Sequence, residues 1–209
     1  MTSDRPVNQR IAALCLDPAG HLPDSDYLAM AVRGAALVDV ALAHRLTQTD
    51  DSIDLDPTPL GRPVLDRVLA ELDVLDGRSL DWWLEHSRLG LPEVAAEYES
   101  AGTWARLRPS GLRLRPRFED RSGGRPRDFA LIESADVVDD PEDAAVVAIA
   151  AAVHLGGPPG SVRADVLPRT GPVRWICELV TDFIDEARAR GIAVSSASQA
   201  ALWSGSMPY

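Results

Sequence analysis

Apolar residues recur three and four positions apart along most of this chain, the spacing that lines one face of a helix. "DYLAMAVRGAALVDVALAHRL", Asp26 to Leu46, keeps that spacing longest and predicts a strong helix. "VNQRIAALCL" predicts a short amphipathic helix before it. "PVLDRVLAELDVL" predicts another, with Pro63 in the first turn, where a missing N–H costs nothing. In "SLDWWLEHS" Ser79 is placed to cap the helix start. "LPEVAAEYESAG" stops at Gly102, a residue suited to a helix C-terminus. "DDPEDAAVVAIAAAVHLGG" opens on acidic capping residues and Pro141 and closes on two glycines. "PVRWICELVTDFIDEARARG" carries its arginines in the last turns, where they complement the helix dipole.

The pattern changes at two places. "TQTDDSIDLDPTPLG" reads as short strand, turn, short strand, and "WARLRPSGLRLRPRF", Trp104 to Phe118, alternates leucine and arginine around Pro-Ser-Gly. "EDRSGGRPRD" predicts a mobile polar loop, "GPPGSVRADVLPRTGP" an irregular stretch, and residues 193–209 a weakly specified Ser/Ala-rich tail. The sum is a mainly α chain: a single compact helical domain over residues 1–209, with two small β-hairpins and no internal repeat.

Composition refines this picture. Apolar residues make up 45% and charged residues 25% of the 209, ordinary values for a soluble globular protein. All 21 basic residues are arginine, which together with abundant Ala, Gly and Pro suggests a high-GC bacterial coding sequence. Cys15 and Cys177 sit in apolar helical patterns and read as buried reduced thiols. The start "MTSDRPVNQR" lacks the basic and apolar regions of a signal peptide. "AAVVAIAAAVHL" is too short for a bilayer, which needs roughly 20 residues. The expected location is cytoplasmic, with peripheral contact at the inner face of the membrane.

The formal charge is −11, yet Trp104 to Arg127 holds eight arginines against Glu119 and Asp120, a local +6. The expected radius of gyration is about 17 Å, and the Debye length in physiological salt is about 8 Å. Acids on the far side are therefore screened at this patch, and local charge decides local binding. Alternation puts Arg106 with Arg108 on one strand face, and Arg113, Arg115 and Arg117 together on the other strand. A short even connection aligns the two sets on one face and leaves the leucines to bury together, the arrangement expected here. A three-residue loop with a glycine bulge would split them. The competing reading of the cluster is internal pairing with the protein's own acids.

Several stretches, in order, resemble the Golgi-phosphoprotein-three-like family: "YLAMAVRGAALVDVALAHRL" with its arginine-glycine pair, "DPTPLGRPVLDRVLAEL", "RSLDWWLEH", and "EVAAEYESAGTWARLRPSGLRLRPRF" with its helix, glycine and hairpin. The resemblance runs from Val7 to Phe118 and more loosely through "DPEDAAVVAIAAAVHL". It implies a mainly helical adaptor without catalytic activity or cofactor. Such a protein binds phosphatidylinositol-4-phosphate on a basic surface, with the hairpin against the membrane. Carried over by position, the headgroup residues are Arg33 and Arg88, joined by Arg106, Arg108, Arg113, Arg115 and Arg117 of the hairpin, with Arg33 near the hairpin base. Departures are Leu91 where the family has a basic residue, Asp24 at the headgroup-packing tryptophan, and a hairpin tip of Pro109, Ser110 and Gly111 without large apolar groups. The helix after the hairpin is shortened to "RDFALIESADVV". Read without the resemblance, Arg33 is an arginine that snorkels or pairs with Asp39 or another acid.

Two other classes compete. A helix, a glycine exit and a basic hairpin also describe a winged-helix unit, in which "LPEVAAEYESAG" would enter a nucleic-acid groove; Glu93, Glu97 and Glu99 make nucleic acid a poor partner. A scaffold that engages another protein is the second alternative. His21, His44, His86 and His154 lack metal-ligand spacing, "HLGGPPG" lacks the lysine of a phosphate loop, and "DDPED" reads as a cap. The adjacent Trp82 and Trp83 cannot share a helix face, so one belongs to the core and one to the surface.

Overall fold

Asp39 explains how the first helix is buried whole. The computed structural model describes residues 5–49, 52–107, 116–134, 138–155 and 161–204, and of 161–163 and 192–204 the backbone alone. In it α1 (Val7–Cys15) buries all nine of its residues, Asn8, Gln9 and Arg10 included, which corrects the amphipathic reading. No side chain at the preceding residue caps α1. Instead Asp39, in α2 (Asp26–Leu42), accepts from the Val7 amide at 2.8 Å and the Asn8 amide at 2.9 Å. These are two of the orphan donors that every helix start leaves. Burial pushes the Asp39 carboxyl up to about 7, against the pull of those two bonds.

α2 packs against α1, against α3 (Pro63–Asp73), against α7 (Pro141–Ala152) and against α9 (Arg174–Ser204). It ends four residues before the sequence pattern does. His44 takes the left-handed conformation at φ 56°, and the Arg45 amide bonds back to the Val40 carbonyl, a Schellman closure. His154 does the same for α7 at φ 58°, with Leu155 bonding to Ala150. Two of the four histidines are thus helix stops. Asp140 caps α7 by accepting from the Glu142 and Asp143 amides, and Ala144 to Ala150 are buried, as a core helix requires.

Gly34 sets the approach of α9 to α2. A Cβ there would stand 2.2 Å from Cγ1 of Val180. Gly34→Ala gains about 1 kcal/mol of helix propensity and meets an overpacking cost of about 1–3 kcal/mol. We expect a net loss of stability in chemical denaturation, recovered in part by adding Val180→Ala, which reopens the space.

The remaining elements flank this helical centre. α4 (Leu80–His86) starts at Ser79, whose hydroxyl accepts from the Trp82 amide at 3.2 Å. Trp83 is buried while Trp82 lies at the surface, stacked on His86 at 4.4 Å and under Arg78 at 4.0 Å. α5 (Leu91–Ser100) is followed by Gly102 at φ 74°. Strands β1 (Leu46–Gln48) and β2 (Ile53–Leu55) form one antiparallel pair, and β3 (Trp104–Leu107) and β4 (Arg117–Asp120) another. The polar loop after β4 is shorter than its sequence suggests: α6 (Arg125–Glu133) begins inside it, and Ser122 is tied to Asp120. The stretch read as irregular is helical beyond Gly160, through α8 (Ser161–Val166) and a 3-10 segment (Leu167–Val173), and α9 continues through the expected tail to Ser204. Cys15 and Cys177 are buried and unbridged, and burial pushes both thiols up to about 12. Among the described residues no helix is long and apolar enough to cross a membrane.

Candidate functional site

Trp104 and Phe118 anchor the arginine-rich segment. They are diagonal neighbours on one face of the β3–β4 pair, with ring centroids 5.9 Å apart, and both are buried. Tyr98 of α5 sits beside Trp104 at 6.2 Å, so the hairpin base is fastened to the core through one aromatic row. The outer edge of β4 is covered too. The Phe118 amide donates to the Gly20 carbonyl at 2.7 Å, and Gly20, at φ 84°, leaves no room for a side chain against the Phe118 carbonyl.

The register runs Trp104 opposite Asp120, Arg106 opposite Phe118 and Leu107 opposite Arg117. Cross-strand partners share a face. Arg106 therefore lies on the aromatic face, its guanidinium 5.5 Å from the Phe118 ring centre and 3.0 Å from Glu99. Arg117 lies on the other face, where its Nε donates to the Ala19 carbonyl at 2.7 Å. The expected alignment of the two arginine sets is thus corrected for the described pair. In the described pair the buried face is that of Trp104 and Phe118, and Leu107 lies on the other. Arg108, Arg113 and Arg115, with the tip Pro109, Ser110 and Gly111, lie outside the described residues.

Beside the hairpin base is a cleft of about 370 Å³. Its walls are the segment Leu22–Asp26 with Ala29 of α2, the start of α5 at Gly90–Pro92, and Arg106, Pro116 and Phe118. Two helix N-termini open onto it. Ser25, ahead of α2, makes no side-chain cap bond, so the first amides of α2 have no acceptor from it. At α5 the Gly90 amide donates to Glu93 at 3.0 Å. The charged groups of the lining are Asp24, Asp26 and Arg106. Neither aspartate makes a hydrogen bond or ion pair among the described residues, whereas Arg106 meets Glu99. Asp24 and Leu91 are both in the wall.

Arg33 reaches this region from behind. Its Nε donates to the Leu89 carbonyl at 2.7 Å and its Nη1 to the Leu84 carbonyl at 2.6 Å, with Glu85 at 3.5 Å. Leu84 and Glu85 belong to the last turn of α4, whose carbonyls lack helical partners. Burial lowers the pKa of this guanidinium, and Asp26, Glu71 and Glu93 oppose that. The expected partner Asp39 is engaged with α1 instead. Arg33 thus fastens α2 to the α4–α5 connection, next to Gly90 in the cleft wall. Hydrogen bonds to a charged group contribute about 1.5–3 kcal/mol each when buried. Arg33 is partly buried, so we expect Arg33→Ala to cost about 2 kcal/mol by denaturant titration. Lysine should not rescue it, since a point charge cannot serve two carbonyls in a fork. Arg88, in the same connection, is exposed and without a partner among the described residues.

Sequence reasoning found the hairpin and the arginine-glycine pair but not the cleft. The Leu22–Asp26 segment looks like a plain connection, and only the pairing of Gly20 and His21 with β4 just before it shows that it runs beside the strands. α5 carries no basic residue: Glu99 pairs with Arg106, Glu93 holds the helix start, and Glu97 accepts from the Val64 amide. That leaves it without the cations that a groove-reading helix needs.

The sequence model of one family, Golgi phosphoprotein 3 (GPP34), matches residues 8–187. No curated protein matches the chain.

Proposed function

This chain belongs to the Golgi phosphoprotein 3 family, and from that premise we propose that it is a peripheral adaptor, without catalysis, that docks on anionic phospholipid headgroups through its arginine-rich hairpin. The observation that carries the reading is where β3 and β4 stand. Pro116, at one end of the segment that holds Arg113 and Arg115, and Arg106 of β3 are in the cleft wall, while Arg117 stands on the opposite face of the pair. Arg88 adds charge at the α5 side. Arg33 enters as a positioning residue, because two of its nitrogens already hold carbonyls. Its Nη2, which has no described partner, is the group left for a phosphate.

Each arginine near an anionic surface contributes about 1 kcal/mol. Five hairpin arginines therefore set an upper bound of about 5 kcal/mol, between three and four decades of affinity. This suits reversible docking. The resemblance implies phosphatidylinositol-4-phosphate, yet the cleft wall carries two aspartates without a hydrogen bond or ion pair among the described residues, so general anionic attraction is the stronger expectation. The test is flotation with phosphatidylcholine vesicles, alone and with either phosphatidylglycerol or phosphatidylinositol-4-phosphate. Both anionic mixtures should retain the protein, with retention falling steeply above roughly 0.15 M salt. Retention on neutral vesicles alike, or on none, would overturn the proposal.

A further inference from the structure

We propose that the cleft selects phospholipid headgroups that carry a primary ammonium beside the phosphate, the phosphatidylethanolamine class. This rests on the docking reading above and names what the cleft adds to it. The hairpin supplies attraction to any anionic surface. The cleft has different chemistry. Asp24 and Asp26 stand in its wall two residues apart, exposed and free of hydrogen bonds or ion pairs among the described residues. An inositol phosphate there would face two carboxylates, while Arg106 is already shared with Glu99 and Arg33 spends its Nε and Nη1 on the Leu89 and Leu84 carbonyls.

A zwitterionic headgroup fits both signs. Its phosphate meets Arg106, whose planar fork has donors beyond the one used on Glu99, and the amides at the α2 start, which Ser25 leaves uncapped. Its ammonium has three N–H donors for Asp24 and Asp26. Phe118, Leu22, Leu91 and Pro116 give the apolar walls that a glycerol backbone and upper acyl carbons would touch. At about 370 Å³ the cleft is headgroup-sized, at the low end of ligand sites. Choline is the informative contrast. It has the same charge but no N–H donor, so it cannot hydrogen-bond to the aspartates.

The test compares vesicles of equal phosphatidylglycerol content in which the remainder is phosphatidylcholine, phosphatidylethanolamine or its N-methyl and N,N-dimethyl forms. The full chain should bind the ethanolamine vesicles roughly three- to tenfold more tightly than the choline ones, the range expected of exposed charge-assisted hydrogen bonds. The advantage should shrink with each added methyl. Asp24→Asn with Asp26→Asn should abolish the advantage while binding to the phosphatidylglycerol/choline vesicles stays equal or rises. Lipid packing cannot imitate that, because it acts on the variant as on the parent. Equal binding to all four mixtures would overturn the inference and leave hairpin docking standing, as would an advantage that the variant keeps. Absence of binding to every anionic vesicle would overturn both.

Discussion

Asp128→Ala should cost about 3–5 kcal/mol, the range for removing one partner of a buried ion pair. Asp128 is fully buried in α6 and accepts from Arg5 at 2.6 Å and from Arg10 Nε at 3.0 Å. Arg10, itself fully buried in α1, also meets Asp143 of α7 at 2.6 Å, and Arg127 reaches the other oxygen of Asp143 at 3.1 Å. Arg5 extends the set to Asp120 of β4 at 3.8 Å. One network thus joins α1, α6, α7 and the hairpin strand. Without the Asp128 carboxylate, Arg10 keeps its charge, its burial and a single acid, and its Nη1 already has no described partner. Water cannot reach it to compensate, so the loss exceeds that of any exposed pair here. For a chain of this size the melting temperature should fall by about 6–20 °C. Asp128→Asn retains one acceptor and should fall between the parent and alanine. A melting shift under about 2 °C for the alanine variant would show that the network is not the brace described.

Reversing Arg113 and Arg115 together to glutamate should remove binding to anionic vesicles. The change takes away two attractive charges and adds two repulsive ones at the hairpin. At about 1 kcal/mol per charge near the surface, that is up to about 4 kcal/mol, or nearly three decades. The hairpin base should survive, since Trp104, Phe118 and the Gly20 contact hold it from the core side. An unchanged melting temperature therefore separates a lost contact from a lost fold. The magnitude depends on local charge governing the patch, because the chain as a whole is already acidic.

Elements with strong local signals were legible in the sequence. Ser79 and Asp140 announce their helices by capping chemistry, and both make the bonds that the chemistry predicts. Trp82 and Trp83 divide between surface and core because neighbours on a helix diverge. The strands of the arginine segment were legible from alternation, but their register was not. Register is set by long-range anchors, and Trp104 and Phe118 turn Arg106 toward Glu99. Asn8, Gln9 and Arg10 mark a surface face by composition, and nothing local shows that Tyr98 and Asp128, 90 and 118 residues away, hold the buried side chains of Asn8 and Arg10. Arg33 looked like a headgroup residue or an ion pair, while its partners are carbonyls, which carry no sequence signature. The same holds for the cleft, whose walls come from four separate segments.

The central claim is that charge on this one hairpin, and not the charge of the whole chain, brings the protein to an anionic surface. The most direct test sets two charge reversals of equal size side by side. One is Arg113→Glu with Arg115→Glu; the other is Arg67→Glu with Arg174→Glu, at a half-buried position on α3 and an exposed one on α9. Both make the chain more negative by the same four units. Flotation on phosphatidylglycerol vesicles at one moderate salt concentration should lose the hairpin variant and retain the α3/α9 variant close to the parent. Equal loss of both, or retention of the hairpin variant, would contradict the account.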